Sequence, residues 1–232
     1  VFMNSVFIVG GGAIGMLTAL ELARAGEQVT LFERGQTGRE SSWAGGGIVS
    51  PLFPWRYVDP VTHLASWSQA NYPALSDELA AETSIDPELT VNGMLVVAPG
   101  ETAAALAWAQ QHDRAVEPVT AADFRQLEPQ AATPSDEALW MPDVAQVRNP
   151  RMVRALRERL QQLGVAIKTE DAIDALIVEN SACRGVVSRS GRHFAESDRE
   201  PCSQSGQRRR AGTQPPRPLE LHEGFGHQLG VS

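Results

Sequence analysis

Val6-Phe7-Ile8-Val9-Gly10-Gly11-Gly12-Ala13-Ile14-Gly15 stands near the start of the chain, followed by a helical run to Ala25 and then Gln28-Val29-Thr30-Leu31-Phe32-Glu33. An apolar run, a glycine turn, a helix and a second apolar run ending in a carboxylate are, in that order, the parts of a dinucleotide-binding βαβ unit. Gly10 lets the chain turn off the strand, Gly12 leaves room for a pyrophosphate, and Gly15 lets the helix pack closely on the sheet. The pyrophosphate is expected on the free amides of the helix N-terminus, where the macrodipole favours negative charge. Glu33 follows Gly10 by 23 positions, a spacing at which a carboxylate reaches ribose hydroxyls and repels a 2′-phosphate. NADP is thereby disfavoured, but the motif does not separate FAD from NAD. A glycine-rich turn with no ligand is the competing reading, and the strand, helix and acid at the right distances weaken it.

Ile14, Leu17, Ala19, Leu20, Leu22 and Ala23 recur at helical spacing up to Gly26, a natural stop. After Glu33 a simple Rossmann domain would begin another helix and strand. Instead residues 34–51 contain Ser41-Ser42-Trp43-Ala44-Gly45-Gly46-Gly47-Ile48-Val49-Ser50-Pro51. Hydroxyls and bare backbone suit close approach to a flat or phosphorylated ligand, the alternative being a flexible linker. The pattern further predicts a helix over 61–83 with Leu64, Trp67, Leu75 and Leu79 buried, and a strand over 89–97 bent at Asn92-Gly93. A helix over 101–111, a helix start at Thr120 with Asp123 in its first turn, and a strand at Ala138–Met141 come next. Pro150 opens a helix that Gly164 closes, and three strands follow over 165–169, 172–178 and 184–188.

At 232 residues and 42% hydrophobic content the chain has material for one large domain or two modest ones. No apolar run approaches the roughly 20 residues of a membrane span and the N-terminus has no signal-peptide pattern, so a cytoplasmic protein without a membrane partner is expected. The net charge of −8 argues against a nucleic-acid partner. Cys183 and Cys202 are too few for a disulfide framework or a zinc site, and no metal is expected. Through Ser188 there are 13 Lys and Arg against 23 Asp and Glu; beyond it there are 7 Arg against 5 acids and almost no apolar periodicity. Residues 1–188 thus read as the folded part, and residues 189–232, with Arg208-Arg209-Arg210, as a disordered tail. His63 reads as a structural or surface residue, and Asp171 and Asp174, three apart in a strand-like region, as a poor acid/base pair. Trp43 could line a cofactor pocket, while Arg56 and Tyr57 are weaker candidates to face a substrate.

Taken together, Gly10–Gly15, Glu33-Arg34 and the Ser-Ser-Trp-Ala-Gly-Gly-Gly-Ile-Val-Ser-Pro loop resemble the N-terminal half of the FAD-dependent D-amino-acid oxidase family, closest to its glycine oxidases of thiamine biosynthesis. Gln146-Val147-Arg148-Asn149-Pro150 and the exit through Leu163-Gly164-Val165 carry the same resemblance, which covers about residues 6–187. It implies that Ala13 and Ile14 lie against the FAD pyrophosphate, that Glu33 binds the adenosine ribose and that Arg34 flanks the adenosine. It further implies that Ser41 and Ser42 bond the phosphate side, that Gly46, Gly47 and Ile48 run along the isoalloxazine, and that Ile173 presents backbone to the adenine. In the family a small amine or amino acid such as glycine is oxidised at its C–N bond with O2, giving an oxo acid, ammonia and hydrogen peroxide. The family's substrate-anchoring arginine comes from a C-terminal half that is not recognisable beyond Arg189, so no catalytic residue is assigned. The break resembles translation in a shifted reading frame.

The expected fold is therefore α/β: a Rossmann-like FAD-binding domain with part of an antiparallel substrate-domain sheet, in glutathione-reductase-like topology and C-terminally incomplete. The expected activity is that of the oxidase, carried by an incomplete and inactive version. An NAD-dependent dehydrogenase and a non-catalytic FAD-binding remnant are the alternatives, and homo-oligomerisation is left open.

Overall fold

The structure, a computed structural model, describes residues 5–132, 135 and 137–195. In chain order the elements are β1 (Ser5–Val9), α1 (Ala13–Arg24), β2 (Gln28–Phe32), α2 (Ser41–Ala44), α3 (Asp59–Thr83), β3 (Thr90–Val91), β4 (Met94–Val97) and α4 (Thr102–Gln111). There follow β5 (Glu117–Val119), α5 (Ala121–Leu127), β6 (Ala138–Met141), β7 (Ala145–Gln146), α6 (Asn149–Gln162), β8 (Ala166–Lys168), β9 (Ile173–Glu179), β10 (Ala182–Ser188) and β11 (Gly191–Phe194).

The βαβ unit forms as its sequence predicts. β1 and β2 are parallel, in register from Ser5 opposite Gln28 to Val9 opposite Phe32, and β8 joins the far edge of β2 to give the order β1-β2-β8. The core over this sheet is built by Met16, Ala19 and Leu20 of α1, Leu79 of α3, and Met152, Val153, Leu156 and Leu160 of α6. α6 is the most amphipathic of these helices, with apolar side chains inward and Arg154 and Arg157 outward. Both α1 and α6 end on a left-handed glycine: Gly26 (φ +86°) and Gly164 (φ +77°) turn the chain so that the next amide, of Glu27 or Val165, bonds a carbonyl of the helix's last turns at 3.0 Å.

The rest is antiparallel. One sheet has the order β4-β6-β5 and packs against α4; β3 and β7 form a short ladder beside it. β9, β10 and β11 make a meander. The expected bend at Asn92-Gly93 is a true break between β3 and β4, with Gly93 at φ +73° against the Trp140 ring. At Thr120 the expected helix start is a full capping box with Asp123. No described helix is long and apolar enough to cross a membrane.

One expectation needs correction. α3 forms over the expected span, but Leu64 and Trp67 are 70% and 67% exposed; its first half turns the smaller, more polar Thr62 and Gln69 inward, toward Trp108 and the Val49 carbonyl. Ile14 is 79% exposed, on the open side of α1. Past Ser188, β11 pairs with β10, and toward the C-terminus the described residues run to Ala195. The remaining stretch expected as a tail, including Arg208-Arg209-Arg210, lies outside the described residues.

Candidate functional site

Where β1 hands over to α1, Gly10 adopts φ +107° and its amide donates to the Phe32 carbonyl at 2.8 Å, tying the turn to the end of β2. A Cβ on Gly15 would run into the Gly10 carbonyl, so the closeness of helix and turn itself demands glycine there. Gly12 is the N-cap of α1 and supplies no capping side chain. The first-turn amides have no acceptor within the helix, which leaves them for a partner from outside. Ala13 has one: its amide donates to Ser42 Oγ at 2.8 Å. With the Ala13 amide on one of its lone pairs, the Ser42 hydroxyl still has a proton to donate.

Glu33, at the end of β2, turns its carboxylate back onto the glycine turn. Oε2 accepts from the Gly11 amide at 2.7 Å and Oε1 from the Gly35 amide at 2.8 Å. Its own amide donates to Lys168 and its carbonyl accepts from Asp171, so β8 and the start of the β9 hairpin are both bound to it. Ile173, half-buried at the start of β9, is two residues beyond that Asp171 contact. Arg34 points elsewhere: its guanidinium lies on Glu40 at 2.6 Å, in the open.

The serine and glycine loop is anchored. Ser41, exposed, and Ser42 begin the single turn of α2. Asn149 Nδ2 donates to the Gly45 carbonyl at 2.9 Å, the Val147 amide donates to the Gly47 carbonyl at 2.8 Å, and Ile48 bridges Gln146. Gly47 has φ +75°, and a Cβ there would overlap the Val147 carbonyl, whereas nothing lies within 4 Å of the position a Cβ on Gly46 would take. Gly46 and Ile48 are thus exposed on a backbone held from behind by the entrance to α6, a surface that a flat ring can approach. The linker reading of this loop does not survive these contacts.

Two residues set aside or underrated in the sequence hold the site together. Asp171 is buried, just before β9 rather than in it; its carboxylate accepts from the Ser190 amide at 2.9 Å and hydroxyl at 2.6 Å, which hold its pKa down to about 2. Its value follows from a hairpin 19 residues away, so local pattern carried no signal of it. Asn149 looked like the start of a helix and also serves as the pin for Gly45. Arg56, by contrast, is occupied: it binds Glu101, as does Trp55 Nε1 at 2.7 Å, and these bonds hold the Glu101 pKa at about 2. Trp43 lies under the Arg39 guanidinium at 4.3 Å.

Hydrogen bonds thus join the glycine turn to Glu33 and to Ser42, and α2 carries the chain from Ser42 into the pinned loop. Glycine oxidase of Pseudomonas aeruginosa is 50% identical over 157 residues, covering 68% of this chain and 43% of that protein. Glycine oxidase of Pseudomonas putida is 42% identical over 189 residues, covering 81% of this chain and 52% of the other. The crystal structure of glycine oxidase from Geobacillus kaustophilus superposes with a TM-score of 0.74 at 26% identity, over 84% of this chain and 54% of that one. The chain spans about half the length of the curated relatives it matches. Residues 5–199 match the family described as FAD dependent oxidoreductase, and the chain belongs to that family.

Proposed function

We propose that residues 5–195 hold the cofactor side of a glycine-oxidase-type enzyme, one that oxidises the C–N bond of glycine or another small amine with O2 to give an oxo acid, ammonia and hydrogen peroxide. Bound FAD would supply the two-electron chemistry. This chain's residues bind and orient. The amides at the start of α1 and the Ser42 hydroxyl take the diphosphate, Ala13 and Ile14 flank it, Gly10 makes the turn, Gly12 keeps the approach clear and Gly15 lets α1 close on the turn. Glu33 takes the adenosine ribose, with Arg34 at the rim and the Ile173 backbone toward the adenine. Ser41, Gly46, Gly47 and Ile48 continue along the path of the flavin ring.

The observation that carries this reading is the aim of the Glu33 carboxylate at the Gly11 amide, 2.7 Å away, with the Ser42 hydroxyl on the next helix amide. Each bond uses one lone pair on its oxygen and leaves others for a diol, out of roughly four on a carboxylate. In this reading the substrate side belongs to the other half of the longer relatives, and this chain alone binds FAD without turnover. Purified chain titrated with FAD is expected to show saturable quenching of flavin fluorescence, and to release no peroxide with glycine. Failure to saturate would overturn the cofactor assignment; peroxide release would overturn the division of labour.

A further inference from the structure

A cleft of about 420 Å³ lies outside the cofactor face, between α6 and the segment that leads into α2. Arg151, Arg154 and Arg157 line it from α6; Thr37, Arg39 and Trp43 line it from the other wall. Residues 37–39 are the partition: the Gly38 amide donates to the Gly11 carbonyl on one side, and Gly38 backs onto Val153 of α6 on the other.

Its charge is concentrated. Arg24, Arg34, Arg56, Arg148, Arg151 and Arg159 each pair with a glutamate, as expected in a chain of net charge −8. Among the described residues, Arg39, Arg154 and Arg157 make no ion pair within 4 Å, and all three open into this one cleft. The described Arg114, Arg125, Arg184, Arg189 and Arg192 also lack an ion pair within 4 Å, but none of them lines this cleft. Glu158, the single acid of α6, does not line it. Three unneutralised guanidinia in one concavity repel one another, and an anion between them removes that cost. Their forked donors match the oxygens of phosphate and carboxylate, and the cleft has the size of a small-molecule site.

We propose that this cleft binds a small, multiply charged oxyanion: a molecule with two or more phosphate or carboxylate groups, held by Arg39, Arg154 and Arg157 beside the Trp43 ring. The site is separate from the cofactor face and does not rest on that reading. Calorimetric titration of the chain at low ionic strength, with inorganic pyrophosphate and with citrate as probes, tests it. Saturable binding is expected, weakened about tenfold by Arg154→Glu and by Arg157→Glu, the scale of one charge-assisted pair. Arg125→Glu, which reverses an exposed charge on α5, is expected to leave affinity unchanged. Tighter pyrophosphate binding identifies a phosphorylated ligand, and tighter citrate binding a polycarboxylate. No saturable binding of either probe, affinity unaffected by both α6 substitutions, or equal weakening by Arg125→Glu would overturn the proposal.

Discussion

Glu33 has a structural duty before it has a ligand. Its two oxygens accept from the Gly11 and Gly35 amides, so truncating it orphans two partly buried donors as well as removing any hold on a ribose. Glu33→Gln separates these effects poorly, because the amide nitrogen would face one of the two N–H groups. Glu33→Ala is expected to cost about 1–3 kcal/mol in stability, read from urea unfolding, and about tenfold or more in FAD affinity. An unchanged FAD affinity with lowered stability would reduce Glu33 to a turn-former. Asp171 yields a prediction in pH. Its folded pKa, about 2, is depressed below the ordinary 3.8 by the Ser190 hydroxyl and amide. A depressed carboxyl stabilises the fold above its unfolded value and loses that contribution as pH falls from about 4 toward 2. Asp171→Asn should therefore be less stable than the parent at pH 6, with the gap closing as thermal melts are taken from pH 4.5 down to 2.5. A gap that stays constant with pH would show that the hydrogen bonds to Ser190 do not set this group's titration.

At the level of elements, the adjacent glycines of the loop make a discriminating pair. Gly47 is left-handed and backs onto the Val147 carbonyl, so Gly47→Ala meets both backbone strain and a main-chain clash. It should lower stability by about 1–3 kcal/mol and detach the loop from the entrance to α6. Gly46→Ala meets open space and should leave the melting temperature nearly unchanged while weakening FAD binding. Equal effects of the two on stability would contradict the pinned-loop geometry. The loop also shows what was legible from sequence. Its glycines and serines announced close approach to a ligand, but the contacts with Gln146, Val147 and Asn149 that hold it are about 100 residues distant in sequence. Elements with strong local signals, the β1-α1-β2 unit and α6 with its terminal Gly164, formed where the pattern put them. β5, with Pro118 in an edge strand, and β11, Gly-Arg-His-Phe, have no apolar alternation to give them away; pairing with β6 and β10 makes them strands. The first half of α3 misled because Thr62 and Gln69 take its inward side, where an amphipathic reading looks for Leu64 and Trp67; Leu75 and Leu79 in its second half pack on the core as that reading expects.

Across the whole molecule, packing and openness are unevenly distributed. α1, α3 and α6 cover one face of the parallel sheet with a continuous apolar core, but the order β1-β2-β8 leaves β1 at the edge, and Val9 at its end is 59% exposed. Parallel strands are ordinarily covered on all sides, so this margin is where a bound ligand adds most to the fold. A ligand that binds only the folded chain stabilises it by about 2.7 kcal/mol at a hundred times its dissociation constant. For a folded unit of roughly 190 residues that corresponds to a rise in melting temperature of about 5–10 °C. FAD at that concentration is therefore expected to raise the melting temperature by this amount, and Glu33→Ala to reduce the rise at the same FAD concentration. NADP should produce no such shift, because its 2′-phosphate would meet the carboxylate that already lies on the glycine turn. A melting temperature indifferent to FAD, or raised equally by NADP, would mean that the turn and the pinned loop do not act as one dinucleotide site.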